Sequence, residues 1–463
     1  MKSYNFIKEN LLWDIINRTQ NPEVHYIKDI LQKANEAKGI SLFEASTLLQ
    51  TKDDELKEQI FIQAQKVKEK IYGNRIVIFV PLYISNECAN ICDYCAFRAD
   101  NMTIKRKTLN HQEIQDEVKI ILSQGHKRIL AVYGETPSYH IDHIVKSIET
   151  IYQTKSPHGV IRRVNINSAP FSVDDFKALK QSNIGTYQCF QETYHLKTYQ
   201  KIHLSGQKID YNWRLNALHR AQEAGIDDVA SGVLYGLYDP LFDTLAMLQH
   251  AEELENVFGV GPHTVSVPRI EPALGSIMSY SPPHQVHDDL FKLIIAVLRL
   301  AIPYTGIILS TRETATLRHE LINLGVSQIS AGSKTSPGTY HDTNTNIPKS
   351  QQFQIADERS LAEIIDDLIS MDIIPSFCTA CYRLGRHGEH FMDMAKNMHI
   401  KQFCQPNAIL TFAEYLEEYA SEKTKKAGYL LIEKLLLSQS DNTQNKIKSE
   451  LATIKKGARD IYH

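Results

Sequence analysis

Eight short runs rich in Val, Ile and Leu, spread between Ile76 and Ser330 and separated by amphipathic stretches, constrain this 463-residue chain more than any other feature. They are Ile76 to Tyr83, Ile129 to Tyr133, Arg162 to Asn167, Gly185 to Phe190, Asp228 to Leu234, His263 to Pro268, Thr305 to Leu309 and Gln328 to Ser330. Strands alternating with helices are joined by crossovers, which makes neighbouring strands parallel and buries both faces of the sheet. Eight such units suggest closure, so the expected fold is α/β, a (β/α)8 TIM-type barrel over residues 73–337. A hydrophobic share of 43% supplies the core that such a barrel needs. Residues 1–72 read as an N-terminal helical extension, with Ser41 as an N-cap before Leu42 and Ala45. Residues 338–358 are polar and poor in large aliphatics and read as a linker; residues 359–463 return to helical spacing as a C-terminal helical domain.

In a barrel of this kind the chemistry sits at the carboxyl ends of the strands. The first run leads into Cys88-Ala89-Asn90-Ile91-Cys92-Asp93-Tyr94-Cys95, a C-x3-C-x2-C array. Three thiolates can ligate three irons of a 4Fe-4S cluster and leave the fourth iron open for a small molecule. Zinc normally takes four ligands, and no further His or Cys stands nearby to supply one. A second set, Cys378 and Cys381 followed after 22 intervening residues by Cys404, is again three thiolates. Here His387, His390 or His399 could complete a zinc site, so zinc stays open beside a second 4Fe-4S cluster. Six of the seven cysteines fall in these arrays, which is not a disulfide framework; Cys189, in an apolar run, reads as a core residue.

The first array, with Tyr94 before its third cysteine and a strand before the loop, resembles the radical S-adenosylmethionine (SAM) superfamily. The resemblance implies that the open iron chelates the amine and carboxylate of SAM. Tyr133-Gly134-Glu135 is similar to the superfamily's Gly-Gly-Glu element, with Tyr133 in place of the first Gly, and makes Glu135 the acceptor for the SAM amino group. Asn165 and Asn167 end the third run with amides suited to a ribose, and Asn167 is taken as the contact. Glu192 and Arg214 are further candidates for SAM, with a solvated helix-end charge as the competing reading. Leu234, in a strand end with two glycines, would stack on adenine unless the segment is a plain strand-to-helix turn. Arg312 follows the seventh run and Ser330 ends the eighth; a planar guanidinium opposite a short hydroxyl suits a carboxylate and points to an amino-acid substrate, while a structural ion pair of Arg312 with Glu313 or another nearby acid is the alternative. His263, behind Gly261-Pro262, is chemically suited to iron, although a lone histidine is commonly structural.

The paired arrays together resemble the tyrosine lyase of FeFe-hydrogenase maturation, the HydG-type maturase. Gly261 to Arg269, Leu309 to Glu313, Gly325 to Ser336 and Cys404 to Leu416 carry the resemblance beyond the cysteines. The related tyrosine lyase of thiamine biosynthesis shares the barrel and lacks the C-terminal cluster domain. The resemblance implies an activity: L-tyrosine, held by Arg312 and Ser330, is cleaved at Cα–Cβ to p-cresol and dehydroglycine. It further implies that the fragment becomes CO and cyanide at the second cluster, on an additional labile iron carrying a bridging cysteine and held by His263. The product would be an Fe(CO)2(CN)-cysteine synthon for the hydrogenase H-cluster. An electron donor and other hydrogenase maturation proteins are the implied partners, and a homodimer is left open. A lyase without CO formation, or a non-catalytic cluster scaffold, are the rival classes.

A formal charge of −3 and the lack of a basic block argue against a nucleic-acid partner. No apolar run is long enough for a bilayer, and the first residues carry no apolar signal segment, so the expected location is cytoplasmic.

Overall fold

The computed structural model of the chain describes residues 5–137, 139–341 and 350–463, so that residues 342–349 of the expected linker lie outside the described residues. Four helices come first: α1 (Glu9–Arg18), α2 (Val24–Ala34), α3 (Leu42–Leu49) and α4 (Asp54–Tyr72). Ser41 caps α3 as predicted, accepting from Glu44 N while the Glu44 carboxylate accepts from Ser41 N, so two orphan amides are satisfied at once. Both α3 and α4 pack on the helix Asp288–Ala301 of the barrel wall, through an apolar core that takes in Leu48, Ile60, Ile294 and Ile295.

The strands are β1 (Arg75–Ser85), β2 (Ile91–Cys92), β3 (Arg128–Tyr133), β4 (Arg163–Asn167), β5 (Tyr187–Gln188), β6 (His203–Ser205), β7 (Val229–Gly232), β8 (Thr264–Ser266), β9 (Gly306–Leu309), β10 (Gln328–Ser330) and β11 (Ile374–Ser376). Each of the eight predicted runs holds one barrel strand. They are ordered β1-β3-β4-β5-β7-β8-β9-β10, all parallel, and β10 returns to β1 through Val77↔Gln328 and Phe79↔Ser330, closing the barrel. β5 keeps only two residues of its predicted run, yet Cys189 N still donates to Ala230 O (3.1 Å) and Gln191 N to Gly232 O (3.1 Å), so the path continues along β7. Cys189 is buried in the core, as its apolar run suggests.

The region after 359 is helical as expected, with one addition. β11 pairs with the start of β1, Arg75↔Ile374 to Val77↔Ser376. Val77 meets Gln328 on one edge and Ser376 on the other, so β11 occupies the β3 edge of β1, below the point where β3 pairs from Val80 onward. This strand plugs the C-terminal region into the amino-terminal end of the barrel. Cys378 follows it after Phe377 alone, so the sheet itself carries the second array to the barrel floor.

Candidate active site and second cysteine site

At the carboxyl ends of the strands lies a cavity of about 210 Å3. It brings together the residues named from the sequence for the first site, Asn165 excepted: Cys88, Cys92, Cys95, Tyr94, Glu135, Asn167, Glu192, Arg214, Leu234, Arg312 and Ser330. The cysteine loop is anchored at both sides. Its Ile91–Cys92 segment pairs antiparallel with β6, and Arg106 donates to the carbonyls of Asn86 and Phe97 (2.8 Å each) and of Arg98 (2.6 Å). Gly134 is required beside it: a Cβ there would stand 2.2 Å from Glu87 O. Because that approach is open, Gly134 N donates to Ser85 O (2.9 Å) and Ala89 N to Glu135 O (2.8 Å), which fixes Glu135 against the loop. Tyr133, the departure from the glycine pattern, turns its hydroxyl to Ser147 Oγ at 2.6 Å.

Tyr94 is buried with its hydroxyl 2.9 Å from His203 Nε2. His203 Nδ1 donates to Tyr199 O at 2.8 Å, and burial holds the ring neutral, so the network assigns Nε2 as the acceptor from Tyr94. The three cysteines are free thiols, and burial pushes Cys92 up to about 12. A buried thiol of this kind loses its proton readily only where a cation stabilises the thiolate that is left, which is what an iron cluster provides.

The cavity's charges are largely paired in advance. Lys208 Nζ donates to Glu192 Oε1 at 2.6 Å; Arg214 stands 3.8 Å from Glu192 and 3.7 Å from Glu135, and its Nε donates to Phe190 O at 2.7 Å. Burial would raise the Glu192 carboxyl, but Lys208 and Arg214 outweigh it and hold the group below its usual range. The solvated helix-end reading of Glu192 and Arg214 is therefore overturned: both are buried and face one another across the site. Glu192 also has φ 71°, a left-handed conformation that costs a non-glycine residue about 1 kcal/mol or more and is held here by its neighbours. Glu135 Oε1 is buried with no hydrogen-bond partner among the described residues, an acceptor facing the cavity beside the cysteines. Of the two amides of β4, Asn167 lines the cavity, whereas the Asn165 carbonyl accepts from Thr186 N at 3.0 Å. The ribose suggestion for Asn165 is corrected accordingly.

Arg312 is half-buried, with its guanidinium stacked 3.3 Å from the Phe353 ring centroid. Glu313 pairs with Arg269 instead, so the alternative ion pair of Arg312 with Glu313 is absent. Sequence reasoning missed Lys208, Glu271, Gln352 and Phe353, all of which line this cavity. Gln352 and Phe353 belong to the stretch read as a linker; Gln352 accepts from Tyr83 Oη (2.7 Å) and its amide lies 3.7 Å from Cys95 Sγ.

A second cavity, of about 60 Å3, lies below the first and is lined by Cys378, Cys381, Cys404 and His263. The two are stacked along the barrel axis. Val77, Arg128, Gly306 and Gln328 face the lower one, while Phe79, Leu130, Ile308 and Ser330, each two residues further up the same strands, face the upper one. Arg75 NH2 donates to Cys404 Sγ at 3.2 Å, Arg128 NH2 to Cys378 O at 2.8 Å, and Arg386 N to Cys381 O at 2.8 Å. A hydrogen bond from Cys381, with the charges of Arg75 and Arg386, favours the Cys404 thiolate against its burial. His263 is kept neutral by burial, and its Nδ1 lies 3.5 Å from Asp228 Oδ1, too poorly aligned to be a hydrogen bond. Unpartnered here are Arg75 Nε, Arg128 Nε, Arg386 Nε, Thr379 Oγ1, Asp228 Oδ2 and His263 Nδ1. Such a concentration of buried, unsatisfied polar atoms marks a site that is completed by something polar. Of the three histidines offered as a fourth zinc ligand, His387 hydrogen-bonds Asp227 at 3.0 Å, and His387, His390 and His399 are all outside the cavity lining. Among the described residues no group of three or more His, Cys, Asp or Glu is gathered for a single metal ion.

Residues 82–251 match the Radical SAM superfamily, and residues 266–374 match the Biotin and Thiamin Synthesis associated domain. The class is thus a radical SAM protein, with the 4Fe-4S cluster and SAM that the superfamily implies, and the three cysteines and Glu135 at the barrel mouth fit that pair. The 2-iminoacetate synthase of Escherichia coli (strain K12) is 31% identical over 83% of this chain and 99% of its own. A crystal structure of HydG, described as a maturase of the [FeFe]-hydrogenase, superposes with a TM-score of 0.96 at 48% identity, over 99% of this chain and all of that one. The HydG of Carboxydothermus hydrogenoformans gives 0.85 at 42% identity, over 97% of this chain and all of that one. This chain belongs to the HydG-type family of radical SAM proteins. Among the described residues no helix is long and apolar enough to cross a membrane.

Proposed function

We propose that the chain is a radical SAM lyase that cleaves L-tyrosine to p-cresol and dehydroglycine and converts the fragment to CO and cyanide, yielding an Fe(CO)2(CN)-cysteine synthon for FeFe-hydrogenase H-cluster assembly. The observation that carries this reading is the stacking of two cysteine-lined cavities inside one barrel, separated by a single step of the strand alternation. A lyase without CO chemistry has no use for the lower one, and a scaffold has no use for the charged furniture of the upper one.

Cys88, Cys92 and Cys95 would hold the first cluster, with Tyr94, Glu135, Asn167, Glu192, Arg214 and Leu234 arranged around SAM. When bound, SAM and this cluster supply a 5'-deoxyadenosyl radical able to remove a hydrogen atom from a substrate amine. Arg312 and Ser330 bind and orient the amino acid: the half-buried guanidinium offers a bidentate fork to its carboxylate, with rotational freedom reduced by Phe353. The closed barrel wall excludes water from the reacting carbon.

Cys378, Cys381 and Cys404 would hold a second 4Fe-4S cluster, and the neutral His263 an additional labile iron with its bridging cysteine. When bound, this centre supplies exchangeable metal positions for CO and cyanide. Arg75, Arg128 and Arg386 compensate its negative charge with N–H groups that lack partners. An electron donor for the first cluster and maturation proteins that accept the product complete the scheme.

The test is anaerobic: reconstituted protein with L-tyrosine, SAM and a reductant, assayed in one vessel for p-cresol and CO. Both products are expected. Cresol without CO, from protein holding two clusters, would reduce the assignment to a simple tyrosine lyase; neither product would leave the scaffold reading in possession.

A further inference from the structure

Three glutamates line the upper cavity: Glu135, Glu192 and Glu271. The first two face Arg214, and Glu192 is also bound by Lys208. Glu271 is different: among the described residues it has no hydrogen bond and no ion pair. Its neighbours are cationic but engaged. Arg269, on the same segment after β8, gives its guanidinium to Glu313, Asp288 and the carbonyl of Val286. Arg312 NH1 reaches Arg269 O at 3.4 Å, which brings the proposed carboxylate clamp against the segment that carries Glu271. An unpaired carboxyl beside the clamp in a substrate-sized cavity has no structural task that the surrounding contacts reveal.

Resting on the tyrosine lyase reading above, the geometry points to Glu271 as the base that takes a proton from the substrate ammonium before the amine gives up a hydrogen atom. In an α-amino acid the ammonium is one carbon away from the carboxylate, so fixing the carboxylate at Arg312 brings the nitrogen to the wall that Glu271 shares. In this step an N–H bond breaks with its electron pair remaining on nitrogen, the carboxylate oxygen gains the proton, and no electron is exchanged. The neutral amine so formed is the species whose remaining N–H can be removed as a hydrogen atom. Of the cavity carboxylates, Glu192 is neutralised by Lys208 and Glu135 stands opposite Arg214 beside the cysteine loop; among the described residues Glu271 alone has no cation paired with it.

The surroundings tune it for this role. Burial is the main influence and, with the charge of Glu313, pushes the carboxyl up to about 7; Arg312 and Arg269 pull the other way. Around Arg312 the other titratable groups are Tyr83, held neutral by burial, Glu192, held ionised by its cations, and Cys95, pushed up by burial; Lys208, Arg214 and Glu135 line the same cavity. A base poised near neutrality combines a useful ionised fraction with enough basicity to draw the proton.

The experiment uses reconstituted holoprotein, wild type, Glu271→Gln and Glu271→Asp, with saturating SAM and varied L-tyrosine, following p-cresol from about pH 6 to about pH 9.5. Iron and sulfide content shows that each variant is folded and loaded. Expected for Glu271→Gln is a kcat reduced about 100-fold near pH 7 with KM for tyrosine changed by less than about threefold. The wild-type rise in rate through about pH 7 should vanish, and the variant should recover as pH approaches the amine's own pKa, while Glu271→Asp keeps a shifted rise. A Gln variant with the wild-type pH profile and kcat overturns the assignment while p-cresol from the wild type leaves the lyase reading standing. No p-cresol from loaded wild type overturns both.

Discussion

The two ends of the barrel solve the problem of buried charge in opposite ways. At the upper end Lys208, Glu192, Arg214 and Glu135 neutralise one another within the protein, so the walls are largely set before a cofactor arrives. At the lower end three arginines keep unpartnered Nε groups, and His263 and Asp228 face each other without a proper bond. Buried polar groups left alone cost about 1 to 3 kcal/mol each, so the lower end is the one whose stability depends on being filled. The contrast teaches that one barrel can carry a largely preorganised chamber at one end and, at the other, a separate chamber whose polar groups are left to be satisfied by what it binds. β11 makes this possible, because it fastens the second array to the sheet and not merely to a surface loop.

The largest effect should come from removing a thiolate at one end. Cys378→Ser or Cys404→Ser is expected to eliminate CO and the spectroscopic signature of a second cluster while p-cresol formation stays within about threefold of wild type. Cys92→Ser should eliminate both products. Simultaneous gas and cresol assays on the variants check this, and loss of cresol in step with CO in Cys378→Ser would show that the chambers are not independent.

Next in size is the proposed substrate clamp. Replacing Arg312 by Met keeps the stacking volume against Phe353 and deletes the charge-assisted bonds, so the KM for tyrosine should rise about 100-fold, equivalent to about 2.7 kcal/mol. SAM binding, measured by its effect on the first cluster's spectrum, should be unchanged. An Arg312→Met enzyme with wild-type KM would move the carboxylate site elsewhere in the cavity.

The separation between chambers can be narrowed at Gly306. A Cβ there would lie 2.9 Å from Thr264 Cγ2 and 3.1 Å from Gln328 Nε2, at the level where the strand residues change from lower to upper lining. Gly306→Val should therefore reduce the ratio of CO to p-cresol about tenfold, with cresol formation itself little altered. An unchanged ratio would mean that the fragment takes a route outside the barrel.

The legible and illegible parts of the sequence divide along the same line. The eight barrel strands could be read because β-branched residues cluster in each, and the upper site could be read because barrel chemistry collects at strand carboxyl ends. β11 is too short to show any period, and its Pro375 speaks against a central strand. Arg75, Arg128 and Arg163 each open a strand, a repeated cation at the amino-terminal end that could have indicated a second charged floor. Glu271 was within reach too, just beyond Pro268 and Arg269 at a strand end. Gln352 and Phe353 were not: they fall within a polar stretch whose folding over the cavity depends on tertiary contacts such as the hydrogen bond between Gln352 and Tyr83.

The smallest effect tests how the upper end is held. Asp243 Oδ1 accepts from Thr193 Oγ1 (3.0 Å) and Tyr194 N (2.8 Å), bracing the turn that follows the left-handed Glu192. Burial without a cationic partner pushes this carboxyl up to about 8, although the two hydrogen bonds oppose the shift. An acid near 4 when unfolded and near 8 when folded binds its proton more tightly in the native state. Its contribution is complete at low pH, declines as pH rises above about 4, and has been lost once pH passes about 8. Asp243→Asn keeps the accepting oxygen and cannot ionise. Anaerobic melts at about pH 6 and about pH 9 should therefore show the variant gaining a few degrees relative to wild type at the higher pH. The CO to p-cresol ratio should stay constant, because the turn serves only the upper chamber. A variant that keeps the wild-type pH dependence would place the proton elsewhere, and a shifted product ratio would mean that the bracing reaches through to the barrel floor.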